Sequence, residues 1–367
     1  MHKNDLDTPY VLIDLDKMEI NLATMQANAD SAGVSLRPHT KTHKMPILAH
    51  KQMDAGAIGI TVAKLGEAEV MAAGGIKDIL IAYPIIGEQK IDRLIRLAKQ
   101  TNIIVAVDSY EAASAISRAA SRDSNCQVGI AVEIDCGFKR VGVGPGDPAL
   151  DLAKKIVQLP GIRFRGITTF AGHSYDTVND KQLHDISAHE GHTAVETAHL
   201  LRENGIAVDI ISVGSTPSAK YAAQIPGVTE IRPGTYIFGD IMQVANRAHL
   251  LQNCALTVKV TVISRPSADR AVVDAGTKVF TSDGDDSPFG TGRGYVVERP
   301  SLVLSWLTEE HGMVIVPPEH QDLAIGDTLE IIPIHACAVV NMVDEIAAVR
   351  DGKVEAIWPV WGRGKVR

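Results

Sequence analysis

Cysteine is scarce in this 367-residue sequence: Cys126, Cys136, Cys254 and Cys337 are too scattered for a disulfide framework, and they predict a reducing, cytoplasmic compartment. No apolar run reaches the roughly 18–20 residues that a membrane span needs. The opening Met-His-Lys-Asn-Asp leads into no apolar signal core, so neither membrane insertion nor export by that route is expected. Positive charge is not in surplus. Lys and Arg number 36 against 44 Asp and Glu, a formal net charge of −8, which gives no electrostatic footprint for nucleic acid or an anionic membrane. Internal repeats and low-complexity tracts are also lacking. What is present, 45% hydrophobic and 22% charged residues, is the balance of a folded globular chain. The 13 histidines make metal or acid–base chemistry worth seeking.

The first two-thirds alternates short β-branched runs with helical patterns. Eight strand candidates are Ser35–Lys41, Ala57–Ala63, Asp78–Tyr83, Ile103–Asp108, Val128–Asp135, Phe164–Gly172, Asp209–Ser215 and Thr229–Gly234. Between them lie segments such as Gly87–Gln100 and Ala149–Gln158, with apolar residues at helical spacing. Eightfold alternation predicts an α/β fold built on a (β/α)8 barrel. A doubly wound open sheet is the competitor, but the glycine fingerprints of nucleotide-binding sheets are missing. From about Leu250 the runs become short and extended (Leu256–Ile263, Ala271–Asp274, Gly294–Val297, Thr328–Ile332, Val354–Trp358), which reads as an all-β domain. The division expected is residues 1–20 as an N-terminal strand, Tyr10–Leu15, packing with the β domain, 21–250 as the barrel and 251–367 as the β domain. The polar, Gly-rich stretch Ser282–Gly294 reads as a mobile or interfacial loop.

The densest chemistry is Leu36-Arg-Pro-His-Thr-Lys-Thr-His-Lys44, which follows the first barrel strand. It is either a solvated basic loop or part of a site at the strand ends, where barrel active sites form. Pro38 stiffens it, and an extended chain would set His39, Lys41 and His43 on one face. A partly desolvated lysine there would be a Schiff-base nucleophile. Val213-Gly-Ser-Thr-Pro-Ser218 and Pro233-Gly-Thr-Tyr236 follow the seventh and eighth strands, where barrels often bind phosphate. Arg140, beyond the Cys136-Gly-Phe-Lys turn, is either an anion ligand or a surface ion pair. His173, in Gly172-His-Ser-Tyr175, is an acid–base group, a helper to a metal, or a strand-end cap. His335 and Cys337, two apart, would project to one side of a strand and offer a borderline-soft pair suited to zinc, although such a pair also arises by chance. Asn341 and Asp344 are either supporting groups or turn residues. His184, His189, His192 and His199 read as solvated, and Trp358-Pro-Val-Trp361 as packing.

Arg37-Pro-His-Thr-Lys-Thr-His-Lys44, Asp135-Cys-Gly-Phe-Lys-Arg-Val-Gly142, Val272-Val-Asp-Ala-Gly-Thr-Lys278 and His335-Ala-Cys337 together resemble the D-serine dehydratase / D-threonine aldolase family of alanine-racemase-like (fold-type III) pyridoxal-phosphate enzymes. The resemblance runs from about Asp7 to Pro359. It implies a barrel carrying pyridoxal 5′-phosphate, a β domain carrying a divalent metal (zinc, with manganese or magnesium as alternatives), a small D-amino acid substrate and a homodimer. By the same resemblance Lys41 is the Schiff-base lysine, His39 of the same motif also binds the cofactor, and Arg140 lies near the cofactor ring. Gly214, Ser215, Thr216, Gly234, Thr235 and Tyr236 hold the phosphate, and His335 and Cys337 hold the metal. Gly-Ser-Thr-Pro stands where the family has a run of glycines. Aldolases of the family carry His-x-Asp at the metal and Tyr-x-Gly-x-x-Gln-His after strand six, whereas this chain has His-x-Cys and Phe-Ala-Gly-His-Ser-Tyr. The expectation is therefore a lyase that dehydrates D-serine, D-threonine or D-threo-3-hydroxyaspartate to a 2-oxo acid and ammonia, with Lys41 as the Cα base and His173 as a second catalytic group. Retro-aldol cleavage is the alternative. A racemase, with Tyr295 as the opposing base, is the second alternative.

Overall fold

The computed structural model describes residues 1–123, 126–283 and 292–367. The chain divides into two compact units. One comprises Thr24–Lys41, Met45–Gly234 and Gly364–Arg367; the other comprises Met1–Ala23, Thr42–Lys44 and Thr235–Arg363.

The strands run in chain order from β1 (Tyr10–Asp14) through β2 (Ser35–Leu36), β3 (Ile60–Val62), β4 (Asp78–Ile81), β5 (Asn102–Val107), β6 (Val128–Ile134), β7 (Ile162–Thr169), β8 (Ile210–Val213) and β9 (Glu230–Ile231). In the first unit β2 to β9 form one parallel sheet in the order β2-β9-β8-β7-β6-β5-β4-β3. Its two ends meet. Thr61 N–H donates to Pro38 O at 2.8 Å, Ile58 N–H to Leu36 O at 3.0 Å, and His39 forms a parallel bridge with Thr61. The eight strands thus close into a barrel, which excludes the open-sheet competitor. Closed parallel sheets hide both faces, so β6 (Val-Gly-Ile-Ala-Val-Glu-Ile) is buried along its whole length. Leu80, Ile104, Ala131 and Ile210 from four strands form one apolar cluster. Helices cover the outside through stripes such as Ile91, Leu94 and Ile95 of Glu88–Ala98.

One glycine is required where β7 packs beside β8. Gly166 has φ +147°, just past a register shift between β6 and β7, and a Cβ there would stand 2.0 Å from Ile210 O. Gly166→Ala is expected to destabilise the barrel by about 3 kcal/mol or more, read as a lower urea midpoint.

In the second unit β1 is joined by β10 (Leu256–Ser267), β11 (Arg270–Val273), β12 (Gly294–Val296), β13 (Val303–Leu307), β14 (Gly312–Ile315), β15 (Thr328–Pro333), β16 (Glu345–Arg350) and β17 (Lys353–Pro359). The order is β13-β14-β11-β10-β1-β16-β17, with β15 pairing β10 and β12. All pairs are antiparallel except β1 with β16. Leu6, Leu12, Ala347 and Val349 form a core cluster over β1 and β16. No helix among the described residues is long and apolar enough to cross a membrane.

Several expectations need correction. Ser35–Lys41 is not extended throughout: β2 stops at Leu36, before Pro38, which has no N–H for a ladder, and Thr40–Thr42 is a 3-10 turn. His39, Lys41 and His43 therefore do not share a strand face. His335 and Cys337 are not on a strand either, because β15 ends at Pro333 and the pair begins the helix Ala336–Val340. Trp358 packs in the interior, but Trp361 is 64% exposed. Most of Ser282–Gly294 lies outside the described residues.

Candidate active site

Every barrel segment singled out in the sequence follows the C-terminal end of a parallel strand. Lys41 follows β2, Arg140 follows β6, His173 follows β7, Gly214–Thr216 follow β8 and Gly234 follows β9. The Lys41 turn is held from both sides. Thr40 Oγ1 donates to Thr61 O at 3.2 Å, and the Lys41 N–H donates to His39 Nδ1 at 3.3 Å. Beneath it, the buried guanidinium of Arg37 pairs with Glu230 at 3.0 Å and with Asp78.

Lys41 Nζ lies 5.8 Å from the centre of the Phe170 ring, and the Arg140 guanidinium lies 4.6 Å from the same ring. The Arg140 turn is shaped by Asp135, whose Oδ1 accepts the N–H groups of Gly137 and Lys139, both at 2.9 Å. The His173 ring stacks on Phe138, with centroids 6.3 Å apart and planes 24° apart. Gly172 permits this, since a Cβ there would stand 2.4 Å from the Phe138 ring. His173 Nδ1 is buried and makes no hydrogen bond among the described residues. Burial, reinforced by His189, lowers the pKa of His173 below its ordinary value, so its imidazole is neutral at pH 7.

The turn after β8 is small and buried. Gly214 takes φ +91°, and its N–H donates to Glu190 at 3.0 Å. Gly234 N–H donates to Thr216 Oγ1 at 3.3 Å. The sequence reading missed Arg232, a buried cation just before Pro233-Gly234 that donates to Ser212 Oγ at 2.6 Å and to Thr169 O at 2.7 Å. Its sequence signal is an arginine placed directly after a short barrel strand. It also missed Phe170 and Glu190. Glu190 could have been found, because it lies on the helical stripe Leu183, Ser187, Ala194 and Leu201, where an acid is out of place. His184, His189, His192 and His199 are exposed, as expected.

His335 and Cys337 belong to the second unit, and so do Thr235 and Tyr236, which are both buried. Cys337 Sγ lies 3.2 Å from Thr42 Oγ1 and 3.5 Å from Thr235 Oγ1. His335 Nδ1 lies 2.7 Å from Asp283 Oδ2. Burial alone would lower the His335 pKa, but its hydrogen bonds to Cys337 and Asp283 and the charges of Cys337 and Asp240 raise it to about 10. Cys337, Asp240 and Asp283 thus all favour positive charge on the imidazole. Among the described residues no three or more His, Cys, Asp or Glu side chains gather as a metal cluster, so His335 and Cys337 stand as a pair. Asp344 pairs instead with Arg363 at 3.0 Å, and Tyr295 packs against Ile241, Cys254, Ile332 and Ile334.

Asp240 holds this turn in place. Its Oδ1 accepts the Gln243 N–H at 2.9 Å, its Oδ2 accepts the Ala336 N–H at 2.9 Å, and the Met242 N–H donates back to Ile334 O at 3.1 Å. One carboxylate thus caps two short helices. Asp240→Ala leaves two buried N–H groups without acceptors and is expected to cost about 2–3 kcal/mol, measured by chemical denaturation.

With this geometry in place, the kinship of the chain can be stated. The alanine racemase N-terminal domain profile matches residues 13–241, and the putative serine dehydratase domain profile matches 255–349. The chain belongs to the alanine-racemase-like D-serine dehydratase / D-threonine aldolase family. It is 36% identical to a D-threonine aldolase of an Arthrobacter species, over 98% of this chain and 93% of that one. It is 37% identical to the D-threo-3-hydroxyaspartate dehydratase of Delftia sp. HT23, over 91% of each. The crystal structure of D-threonine aldolase from Filomicrobium marinum superposes with a TM-score of 0.91 at 33% identity, covering 99% of this chain and 97% of that one. Solved variants of D-threo-3-hydroxyaspartate dehydratase include one with a histidine replaced by alanine. Another, in a metal-free form, has the cysteine two positions later replaced; both superpose with a TM-score of 0.90. The family is one of pyridoxal-phosphate enzymes on an alanine-racemase-like fold.

Proposed function

We propose that this chain is a pyridoxal-phosphate- and metal-dependent lyase that removes the β-hydroxyl of a D-β-hydroxy amino acid, giving a 2-oxo acid and ammonia. The observation that carries the reading is the His335–Cys337 pair, which repeats the histidine–cysteine spacing replaced in the dehydratase variants.

The residues present suit both groups. For the cofactor there is a lysine amine beside an aromatic ring, a small hydroxyl-bearing turn with its glycine at positive φ, and a buried imidazole nitrogen without a partner. For a cation there is an imidazole–thiol pair, with Asp283 2.7 Å from the imidazole, a donor set that suits zinc. Lys41 would hold the cofactor, and Ser215, Thr216, Gly234, Thr235 and Tyr236 would supply its phosphate contacts. When bound, pyridoxal phosphate supplies an aldehyde for amines and a ring that delocalises the electron pair left at Cα, while the cation supplies Lewis acidity at the β-oxygen.

The remaining steps belong to the chain. Lys41 Nζ, when free, takes the proton from Cα. Arg140, held over Phe170, offers a fixed positive charge for an anionic oxygen. His173 offers Nδ1 of a neutral imidazole for holding or passing a proton. His335 and Cys337 fix the cation, and Asp240 fixes them.

The test is a product assay on D-serine, D-threonine and D-threo-3-hydroxyaspartate. The expected result is 2-oxo acid and ammonia in equal amounts, lost on chelation and restored by zinc. Glycine plus aldehyde would instead support retro-aldol cleavage, the second reading, which the identity to the Arthrobacter aldolase favours.

A further inference from the structure

We propose that Glu190 is the positioning residue of the phosphate-binding turn, its carboxylate tying the turn after β7 to the turn after β8 so that Ser215 and Thr216 are set for a phosphate ester before one arrives. The proposal rests on the pyridoxal-phosphate reading above.

Glu190 lies mid-way along the helix Asp180–Glu203 and is 0% exposed. Its Oε1 accepts two backbone N–H groups, from Ala171 at 3.1 Å and from Gly214 at 3.0 Å. Its Oε2 accepts the Ser218 hydroxyl at 2.8 Å. Because the Ser218 proton goes to Glu190, the Ser218 oxygen is free to accept the Ser215 N–H, at 2.8 Å. Ser215 Oγ in turn lies 3.0 Å from Ser218 Oγ and 3.2 Å from Ser174 Oγ, next to His173. One side chain therefore fixes the segment that carries His173 and the segment that carries the anion turn.

A carboxylate is an expensive way to fill an apolar helical stripe, since burial penalises its charge. That penalty is visible: burial raises the Glu190 pKa, while the Gly214 N–H, the Ser218 hydroxyl, the Arg232 charge and the Ala171 N–H act against it. A leucine or alanine would pack there without that penalty but would leave the two N–H groups and the hydroxyl unmet. The acid's contribution is therefore geometric. The packing beside it is close, since a Cβ on neighbouring Gly191 would stand 2.6 Å from Ile225 Cγ1. The Gly214 and Ser215 N–H groups are both committed internally, so the shape of the turn does not depend on an anion. This is preorganisation, which strengthens binding by removing an ordering cost.

The experiment uses Glu190→Gln, which keeps the size, removes the charge and sets an amide where one acceptor oxygen was. The holoenzyme is stripped of cofactor with hydroxylamine, then titrated separately with pyridoxal phosphate and with pyridoxal, which has the same aldehyde and no phosphate. Absorbance reports binding independently of turnover. The expected result is a Kd for pyridoxal phosphate raised about tenfold, with the Kd for pyridoxal unchanged. Equal weakening of both ligands, the mark of a merely structural role, would overturn the proposal, and so would no change in either. If Glu190→Gln does not fold, Ser218→Ala removes one limb of the same network, and the same ratio decides. Failure of the unaltered protein to bind pyridoxal phosphate would overturn the functional reading itself, an outcome distinct from an unchanged ratio in the variant.

Discussion

Lys41→Ala is expected to abolish the visible absorption at about 420 nm and to lower kcat/KM by at least about 10³-fold, because on the proposed reading one amine both holds the cofactor and moves the Cα proton. The neighbouring lysines make this a sharp test. Lys44 is buried at a positive φ, with its carbonyl accepting the Gly362 N–H at 2.9 Å, and Lys139 is exposed on the far side of the Asp135 turn. Lys41 is the one placed with its Nζ 5.8 Å from the centre of the Phe170 ring. A band that survives in Lys41→Ala and disappears in Lys44→Ala would transfer the role. Borohydride treatment of the unaltered protein should fix the cofactor to the peptide containing Lys41, which mass spectrometry reads directly.

Cys337→Ala and His335→Ala are expected to lower turnover by about 10²-fold or more, with the visible band intact, since on the proposed reading they remove ligands to the cation and leave Lys41 in place. Metal content should fall with activity in both variants. The double variant should lose little more than either single one, because a two-ligand site fails when either ligand goes. Loss of the band in Cys337→Ala, or full activity in chelator, would remove the metal from the mechanism.

The barrel was legible because its strands are β-branched runs buried on both faces, such as Ile103–Val107, a signal that needs no partner to be read. In the β unit the pattern was weaker. β13 carries Ser305 and Trp306 at a register shift that breaks the alternation, and β16 is built around two alanines. Neither stood out from its neighbours in sequence.

The candidate site was legible as residue types more than as backbone. The types Lys41, Arg140, His335 and Cys337 announce themselves, but their backbone does not. Lys41 lies on a 3-10 turn because Pro38 ends the strand ladder. Cys337 lies on a helix because Asp240, 96 positions away, caps it. Glu190 escaped notice because a charged letter in a histidine-rich helix reads as solvent-facing; its place on the apolar stripe hinted at burial, but the partners that explain it, the N–H groups of Ala171 and Gly214, are distant in sequence. Long-range caps of this kind are set by tertiary structure and leave little trace in local sequence.

The pairing of β1 has a consequence for how the chain is made. Tyr10–Asp14 is made before the barrel strands, yet its two sheet neighbours, Leu256–Ser267 and Glu345–Arg350, are made after them. Through synthesis of the entire barrel this strand has both edges open, and an open apolar edge is a template for pairing with other chains. Nascent chains stalled before residue 256 should therefore depend on chaperones far more than chains released after residue 350.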